Sequence, residues 1–416
     1  MESAQFYASH LQLGPDWQVI RVETDHAQME DHVYLSYRHP RAPSPETGEL
    51  CPIHELRDER RWRHLDTMQY KTFLHARVPR VRLPNGKVVT IHVPWAEPHA
   101  RQSVLFETWA ILLLESMKNQ TQTARLLRLS YDQIHAIMER AVARGLADRH
   151  RQFAQATTEG RQEMTSLSID EKAYRSGRQF VTVVSDPSGG RVLEIVEGRT
   201  TEAAIHALKA ALPPRNLEQI AAVSMDMSAA YCHAVDIALP KAEVVYDKFH
   251  LFKDLSNAID ITRRAEVKHE PLLKRARFLV LKNAANRTES EREKFSHMNE
   301  LNLKTAQAWR VRENFRGLYE LCSNYKDALV YFLKWKDHAI ATGLAAVQKV
   351  VKTFDRHVHG ILCHFRYNIT NAMAERLNGK IQELKVIGKG YRTANNIRIA
   401  ILFFYGKLNL YPQKFP

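Results

Sequence analysis

Two short apolar runs that end alike constrain this chain more than any other feature. In Leu167-Ser168-Ile169-Asp170 and in Ile220-Ala221-Ala222-Val223-Ser224-Met225-Asp226 successive side chains alternate between faces. Each run closes on an aspartate that shares a face with the serine two positions earlier. Runs of this length and pattern read as strands. Around them, 179–185 and 191–197 read as strands joined by the turn Asp186-Pro187-Ser188-Gly189-Gly190, 201–211 and 228–238 as helices, and 242–247 as a fifth strand. Hairpin, helix, strand, helix, strand is the order of a mixed α/β domain. If the first and fourth strands are parallel neighbours, Asp170 and Asp226 emerge together at one sheet edge.

Two close carboxylates repel unless a cation lies between them, and hard oxygen donors select magnesium or manganese. A third donor is then expected. Beyond His250 the sequence is helical to about 354, with no strand-like run, and a further helix covers about 371–385. Met373, Leu377, Ile381 and Leu384 form its buried stripe, which leaves Glu375, Asn378 and Gln382 on the other face. Glu375 is the only acid between Asp355 and Glu383, which makes it the candidate. Taken singly, each of these acids reads first as a turn cap or a solvated surface charge.

The 416 residues hold 60 Lys plus Arg against 46 Asp plus Glu, a formal charge of +14. Half of that excess sits in 376–416, where eight basic residues face the single acid Glu383. A polyanion is the expected partner, nucleic acid before membrane. With 44% hydrophobic and 25% charged residues the composition excludes a disordered or collagen-like chain. The longest apolar stretches, 110–114 and 399–405, fall far short of the roughly 18 residues a membrane span requires. Glu2, Gln5 and His10 interrupt any signal-peptide run, and four scattered cysteines suit a reduced cytoplasmic setting.

Residues 1–100 alternate as strands do at 16–22, 32–37, 72–78 and 87–93, with Pro84-Asn85-Gly86 as a hairpin signal. Cys51-Pro52-Ile53-His54 offers half of a zinc site, with His64, His75 and His92 as candidates by type alone. A metal-free loop is the favoured reading, since four donors are the rule. From 103 to 151 the period is helical. Residues 121–127 and 131–144 read as two helices about a turn at 128–130, with Ser130 as N-cap and Ile134, Ile137, Met138 and Ala141 turned inward. That is helix-turn-helix spacing without the usual turn glycine. It places Tyr131, Gln133 and His135 at the exposed start of a DNA-recognition helix.

Ser168-Ile169-Asp170-Glu171-Lys172, Ser224-Met225-Asp226-Met227-Ser228, Tyr246-Asp247-Lys248-Phe249-His250 and Asn371-Ala372-Met373-Ala374-Glu375-Arg376-Leu377-Asn378-Gly379-Lys380 resemble the catalytic blocks of ISL3-family insertion-sequence transposases. Lys389-Gly390-Tyr391-Arg392 and Asn396-Ile397-Arg398 are similar to the block that follows, and Trp62-Arg63-His64-Leu65-Asp66 and Val93-Pro94-Trp95 to the N-terminal module. The resemblance runs through nearly the whole chain.

It implies a ribonuclease H-like mixed-sheet core interrupted by an all-helical insertion. It also implies an Asp170, Asp226, Glu375 triad holding two magnesium or manganese ions for DNA cleavage and strand transfer. Asp247 and His250 match a block whose role stays unassigned, and Tyr231 and Tyr246 read as structural. The family's second cysteine knuckle appears here as Leu83-Pro84-Asn85, which leaves structural zinc doubtful.

The expected domains are a β-rich module at 1–100, a helix-turn-helix domain at 101–155, the first part of the core at 160–255, the insertion at 256–365, and the last core helix with a basic tail at 366–416. Lys380, Lys385, Lys389, Arg392 and Arg398 are expected on DNA, and the partners are terminal inverted repeats, target DNA and a second copy of the chain. The expected location is the bacterial cytosol, on the nucleoid. A non-catalytic DNA-binding regulator and a structure-selective nuclease are the alternatives.

Overall fold

The computed structural model describes residues 3–11, 13–160, 164–175, 179–274, 276–282, 286–300, 303–369, 372–388 and 390–412. Two compact units partition the chain, one of residues 1–149 with 408–416, the other of 150–407.

In the first unit β1 (Trp17–Asp25), β2 (Glu30–Tyr37), β3 (Arg41–Pro43), β4 (Leu50–Arg63), β5 (Lys71–Arg82) and β6 (Val88–Thr90) form one sheet. Its order is β1-β2-β5-β4-β3, with β6 on β5, and β2 runs parallel to β5. Trp17, Trp62 and Trp95 are buried at its centre, with the Trp95 ring edge-on to both others. The hairpin read at 84–86 joins β5 to β6, and Gly86 takes φ +81°, a conformation a side chain would strain. Sequence reasoning missed β4, whose Arg57, Asp58, Glu59, Arg60 and Arg61 present charge on both faces instead of alternation. Cys51 and His54 therefore lie on a strand and not, as expected, in a loop.

Helices Val104–Met117, Gln120–Leu127 and Tyr131–Thr158 follow. Ser103 caps the first by accepting from Phe106 N, and Asn119 caps the second by accepting from Gln122 N. Arg128, with φ 55°, holds the left-handed turn position where glycine is usual. Ser130 Oγ accepts from Gln133 N at 3.2 Å while Gln133 Oε1 accepts from Ser130 N at 2.9 Å, a reciprocal capping box. Ile134, Ile137, Met138 and Ala141 are fully buried, as their spacing demands. The third helix runs past the expected end near 144.

Residues 408–416, grouped by sequence with the core, belong to this first unit. Leu410 is buried there, and a Cβ on Gly145 would lie 2.6 Å from Leu408 Cβ, so only glycine admits that approach.

The second unit is built on β7 (Ser166–Arg175), β8 (Gln179–Asp186), β9 (Arg191–Glu197), β10 (Ala222–Met225) and β11 (Glu243–Tyr246), in the order β11-β10-β7-β8-β9. β7, β10 and β11 are parallel, and β8 and β9 extend the sheet antiparallel. Helices Thr201–Ala211 and Ala229–Ala238 connect β9 to β10 and β10 to β11, as read from the sequence.

From Lys248 to Tyr367 the described residues contain helices and no strand, the longest being Lys248–Glu266, Lys304–Leu321 and Tyr325–Ala341. Their apolar faces and those of the sheet share one buried cluster, in which Tyr246, Leu251, Phe315 and Phe354 take part. Helices Ala372–Ile387 and Ala394–Tyr405 close the unit. No helix among the described residues is long and apolar enough to cross a membrane.

Candidate active site

The parallel register of β7 and β10 pairs Ser168 with Ser224. Two residues on stand Asp170, within β7 just past the paired stretch, and Asp226, one residue beyond β10, so both carboxylates emerge where the pairing of the two strands ends. β11 adds a third acid, because Asp247 N donates to Met225 O at 2.8 Å and thereby extends the ladder by one residue. The edge borders a cavity of ≈ 400 Å³ lined by Asp170, Asp226, Asp247, His250, Glu375 and Asn378. The three acids read from sequence thus meet around one space.

Each acid is differently held. Asp170 Oδ2 accepts from Asn378 Nδ2 at 2.7 Å and lies 3.0 Å from Lys172 Nζ, while its Oδ1 accepts from Glu171 N at 2.7 Å. Asp226 Oδ1 accepts from Ser228 N at 3.2 Å. Burial pushes the Asp226 carboxyl above the ordinary range, His250 opposes that, and the Asp170 charge adds to it. Glu375 is exposed in the first turn of the Ala372–Ile387 helix, whose Leu377, Ile381 and Leu384 are buried.

Asp247 caps the Lys248–Glu266 helix by accepting from Phe249 N at 2.9 Å, and its Oδ2 lies 3.0 Å from His250 Nδ1. That hydrogen bond raises the His250 pKa against the effect of its burial. The sequence signal that could have found Asn378 was its place three residues after Glu375 on the same helix face.

A second cavity of ≈ 540 Å³ shares Asp247, Phe249 and Glu375 with the first and adds Lys248, Arg312 and Arg316. Tyr231 and Tyr246 are buried, with hydroxyls on Thr182 Oγ1 and His357 Nδ1, so neither presents a nucleophile.

The residues expected on DNA divide. Tyr131 is exposed and stacks on His135, and Gln133 uses its side chain in the capping box. Lys385 donates to Ala173 O, Lys380 lies over the Tyr405 ring, and Arg392 is exposed. Arg398 is bound through both Nε and Nη2 to Glu194, at 2.6 and 2.8 Å, and Glu194 is buried. That ion pair ties the Ala394–Tyr405 helix to β9, and the Arg398 side chain stays partly exposed. Lys389 lies outside the described residues.

Residues 167–401 match a family model described as a transposase, and residues 91–142 one described as the helix-turn-helix domain of transposase family ISL3. Residues 55–84 match the zinc-finger of transposase IS204/IS1001/IS1096/IS1165. The transposase for insertion sequence element IS1001 of Bordetella parapertussis is 26% identical over 359 residues, spanning 83% of this chain and 84% of that protein. The transposase for insertion sequence element IS1557 of Mycobacterium tuberculosis is 25% identical over 377 residues, 83% of this chain and 82% of its own length.

The zinc-finger match corrects the doubt about zinc to the extent that a module of that family is present. Its donors in this chain are sparse. The matched segment has no cysteine, His64 Nδ1 lies 2.8 Å from Ser103 Oγ, and His75 is engaged by Glu59 and His32. Cys51 is buried in the apolar cluster that holds Ala42 and Leu83, and His54 is exposed beside the Arg82 guanidinium. The described residues of the module do not bring four donors together, so no role below is routed through zinc there.

Proposed function

The chain belongs to the ISL3 family of transposases and is a DNA transposase of the Asp-Asp-Glu class, and we propose that its catalytic carboxylates are Asp170, Asp226 and Glu375. The observation that carries this reading is the single cavity these three line, two delivered where the pairing of β7 with β10 ends and the third by a helix more than a hundred residues later. The residues fit a divalent cation. Their donors are hard oxygens, and Asp226 is half-buried near another carboxylate, an arrangement a cation relieves.

Magnesium or manganese, when bound, acts as a Lewis acid that lowers the pKa of the attacking water and offsets charge on the leaving 3′-oxygen. The protein's own share is to hold and orient. Asn378 fixes one Asp170 oxygen, Ser228 N fixes one Asp226 oxygen, and the Asp247–His250 pair carries proton-holding capacity beside Asp226. With the Tyr231 and Tyr246 hydroxyls committed to Thr182 and His357, direct hydrolysis and transesterification suit the site better than a covalent intermediate on tyrosine.

The sheet order, with three parallel strands and an antiparallel hairpin on one side, supports a ribonuclease H-like core, and the helices from 256 to 365 read as an insertion between its last strand and the Glu375 helix. The helix-turn-helix at the start of the Tyr131–Thr158 helix reads the terminal inverted repeats, with Tyr131 the best placed of the expected side chains. Lys248 and Arg316 beside the acids track phosphates of the cut strand. Holding two ends at once calls for a homodimer or larger assembly on DNA.

Asp170→Asn, Asp226→Asn and Glu375→Gln, assayed separately on DNA carrying an element end, test the assignment. Each is expected to lose cleavage in magnesium and in manganese while binding the end as the parent does. A variant that still cuts removes its residue from the triad. Cutting without regard to the ends would favour the nuclease alternative.

A further inference from the structure

Away from the carboxylate site, the start of β11 faces the short helices Val358–Leu362 and His364–Tyr367, which Cys363 joins without a break in helical geometry. His359 and Cys363 are four residues apart on one face, and both turn toward Glu243, the first residue of β11. Cys363 Sγ lies 3.0 Å from Glu243 Oε2 and 3.5 Å from His359 Nε2, and the latter two atoms are 3.9 Å apart. Thiolate and imidazole donors around a tetrahedral zinc ion stand about 3.3–3.6 Å from one another. The three atoms already approximate that triangle, and no other trio of such donors does so among the described residues.

We propose that Glu243 Oε2, His359 Nε2 and Cys363 Sγ form a binding site for a zinc-class transition-metal ion, a clip between the foot of β11 and the segment that leads to Glu375.

The surroundings are those of a built site. His359 Nδ1 lies 3.1 Å from the Tyr325 hydroxyl, a partner that leaves the Nε2 lone pair directed at the thiol and carboxylate. Arg366 Nη1 donates to both Glu243 oxygens, Oε1 at 2.6 Å and Oε2 at 2.9 Å, and itself lies over the Tyr325 ring, while Oε2 is the oxygen that also meets Cys363 Sγ and His359 Nε2. Cys363 is fully buried while His359 is exposed, which leaves one side of the triangle open to water as a fourth ligand. A sulfur, a nitrogen and an oxygen select zinc, cobalt or nickel over magnesium, whereas the triad offers oxygen alone.

Binding exchanges the Cys363 S–H proton for the metal, with the proton released to solvent and no change of oxidation state.

The clip's place gives it a purpose. Glu243 opens β11 and Asp247 follows its other end, about 13 Å away at strand spacing. Gly360 packs so closely on β11 that a Cβ there would come 2.5 Å from the Tyr246 ring. A metal at this point ties the strand that presents Asp247 to the approach of the Glu375 helix.

The test uses the full chain, stripped with a chelator and titrated with cobalt(II). A thiolate-to-cobalt absorption band is expected at about one ion per chain, displaced by zinc and unaffected by magnesium. Cys363→Ser is expected to abolish the band, Cys51→Ser to leave it, and His359→Ala, at an exposed position, to weaken binding at least about tenfold. Because the triad has no sulfur, triad variants are expected to keep the band, so failure here and failure of the catalytic reading are distinguishable. Absence of the band in folded protein, its survival in Cys363→Ser, or its loss in Cys51→Ser overturns the proposal.

Discussion

Asn378 Nδ2 donates to Asp170 Oδ2 across 2.7 Å, tying the strand that carries one acid to the helix that carries another. Asn378 follows Glu375 by one helical turn, so the same bond that orients Asp170 also sets how far the Glu375 helix lies from the sheet edge. Asn378→Ala is expected to lower the cleavage rate by about 10–100-fold, the usual cost of losing an orienting partner of a metal ligand. End binding should be unchanged, and gel-shift and cleavage assays on one DNA separate the two.

Arg398 and Arg392 belong to the same basic stretch and are expected to behave oppositely. Arg398→Ala strips the buried Glu194 of its guanidinium and should destabilise the protein by about 3–5 kcal/mol, read from chemical denaturation. Arg392→Ala, at an exposed position, should leave stability within about 0.5 kcal/mol and reduce the salt dependence of DNA binding by about one phosphate contact.

Glu107 is buried in the first unit and accepts from Arg140 Nη2 and Arg144 Nη2, each at 2.8 Å, while Arg144 also binds Glu97. Glu107→Ala leaves two guanidinium groups without this partner and should cost about 3–5 kcal/mol by denaturant titration.

His64 is largely shielded from solvent, and its imidazole pKa is pushed down to about 4 by that desolvation and then by Arg63. The unfolded chain therefore takes up a proton near pH 6.5 that the folded chain refuses until about pH 4. The stability present above pH 6.5 is lost as pH falls through this window, by about 3 kcal/mol in all. Denaturation midpoints measured across pH 4–7 should show that slope, and His64→Asn should flatten it whatever its effect at neutral pH.

The core was legible because its strands carry apolar runs bounded by turns, and because two of those runs end in the same serine–aspartate pattern, although β7 itself continues past Asp170 to Arg175. Only the structure supplies the Ser168–Ser224 register that makes those endings neighbours. Glu375 was legible from its isolation in a basic stretch. Asn378 was placed on the right face, but its bond to Asp170 joins residues 208 positions apart, beyond what periodicity reports. Strand β4 escaped because a charged, two-sided run carries no alternation, and pairing with β5 defines it instead. Charge alone does not reveal that a buried glutamate pairs with Arg398. The cluster of Glu243, His359 and Cys363 had no linear signature, since strand and helix supply its members from opposite ends of the helical stretch.

The central claim is that Asp170, Asp226 and Glu375 together cut DNA at the ends of an insertion sequence. The most direct measurement incubates purified protein, with magnesium or manganese, on a plasmid carrying the DNA that flanks its gene, and maps every new 3′-end beside an Asp226→Ala control. New 3′-ends at the inverted-repeat boundaries that vanish in the variant are the predicted result. Cuts that persist in Asp226→Ala, or specific binding by folded protein with no cut under either metal, would contradict it.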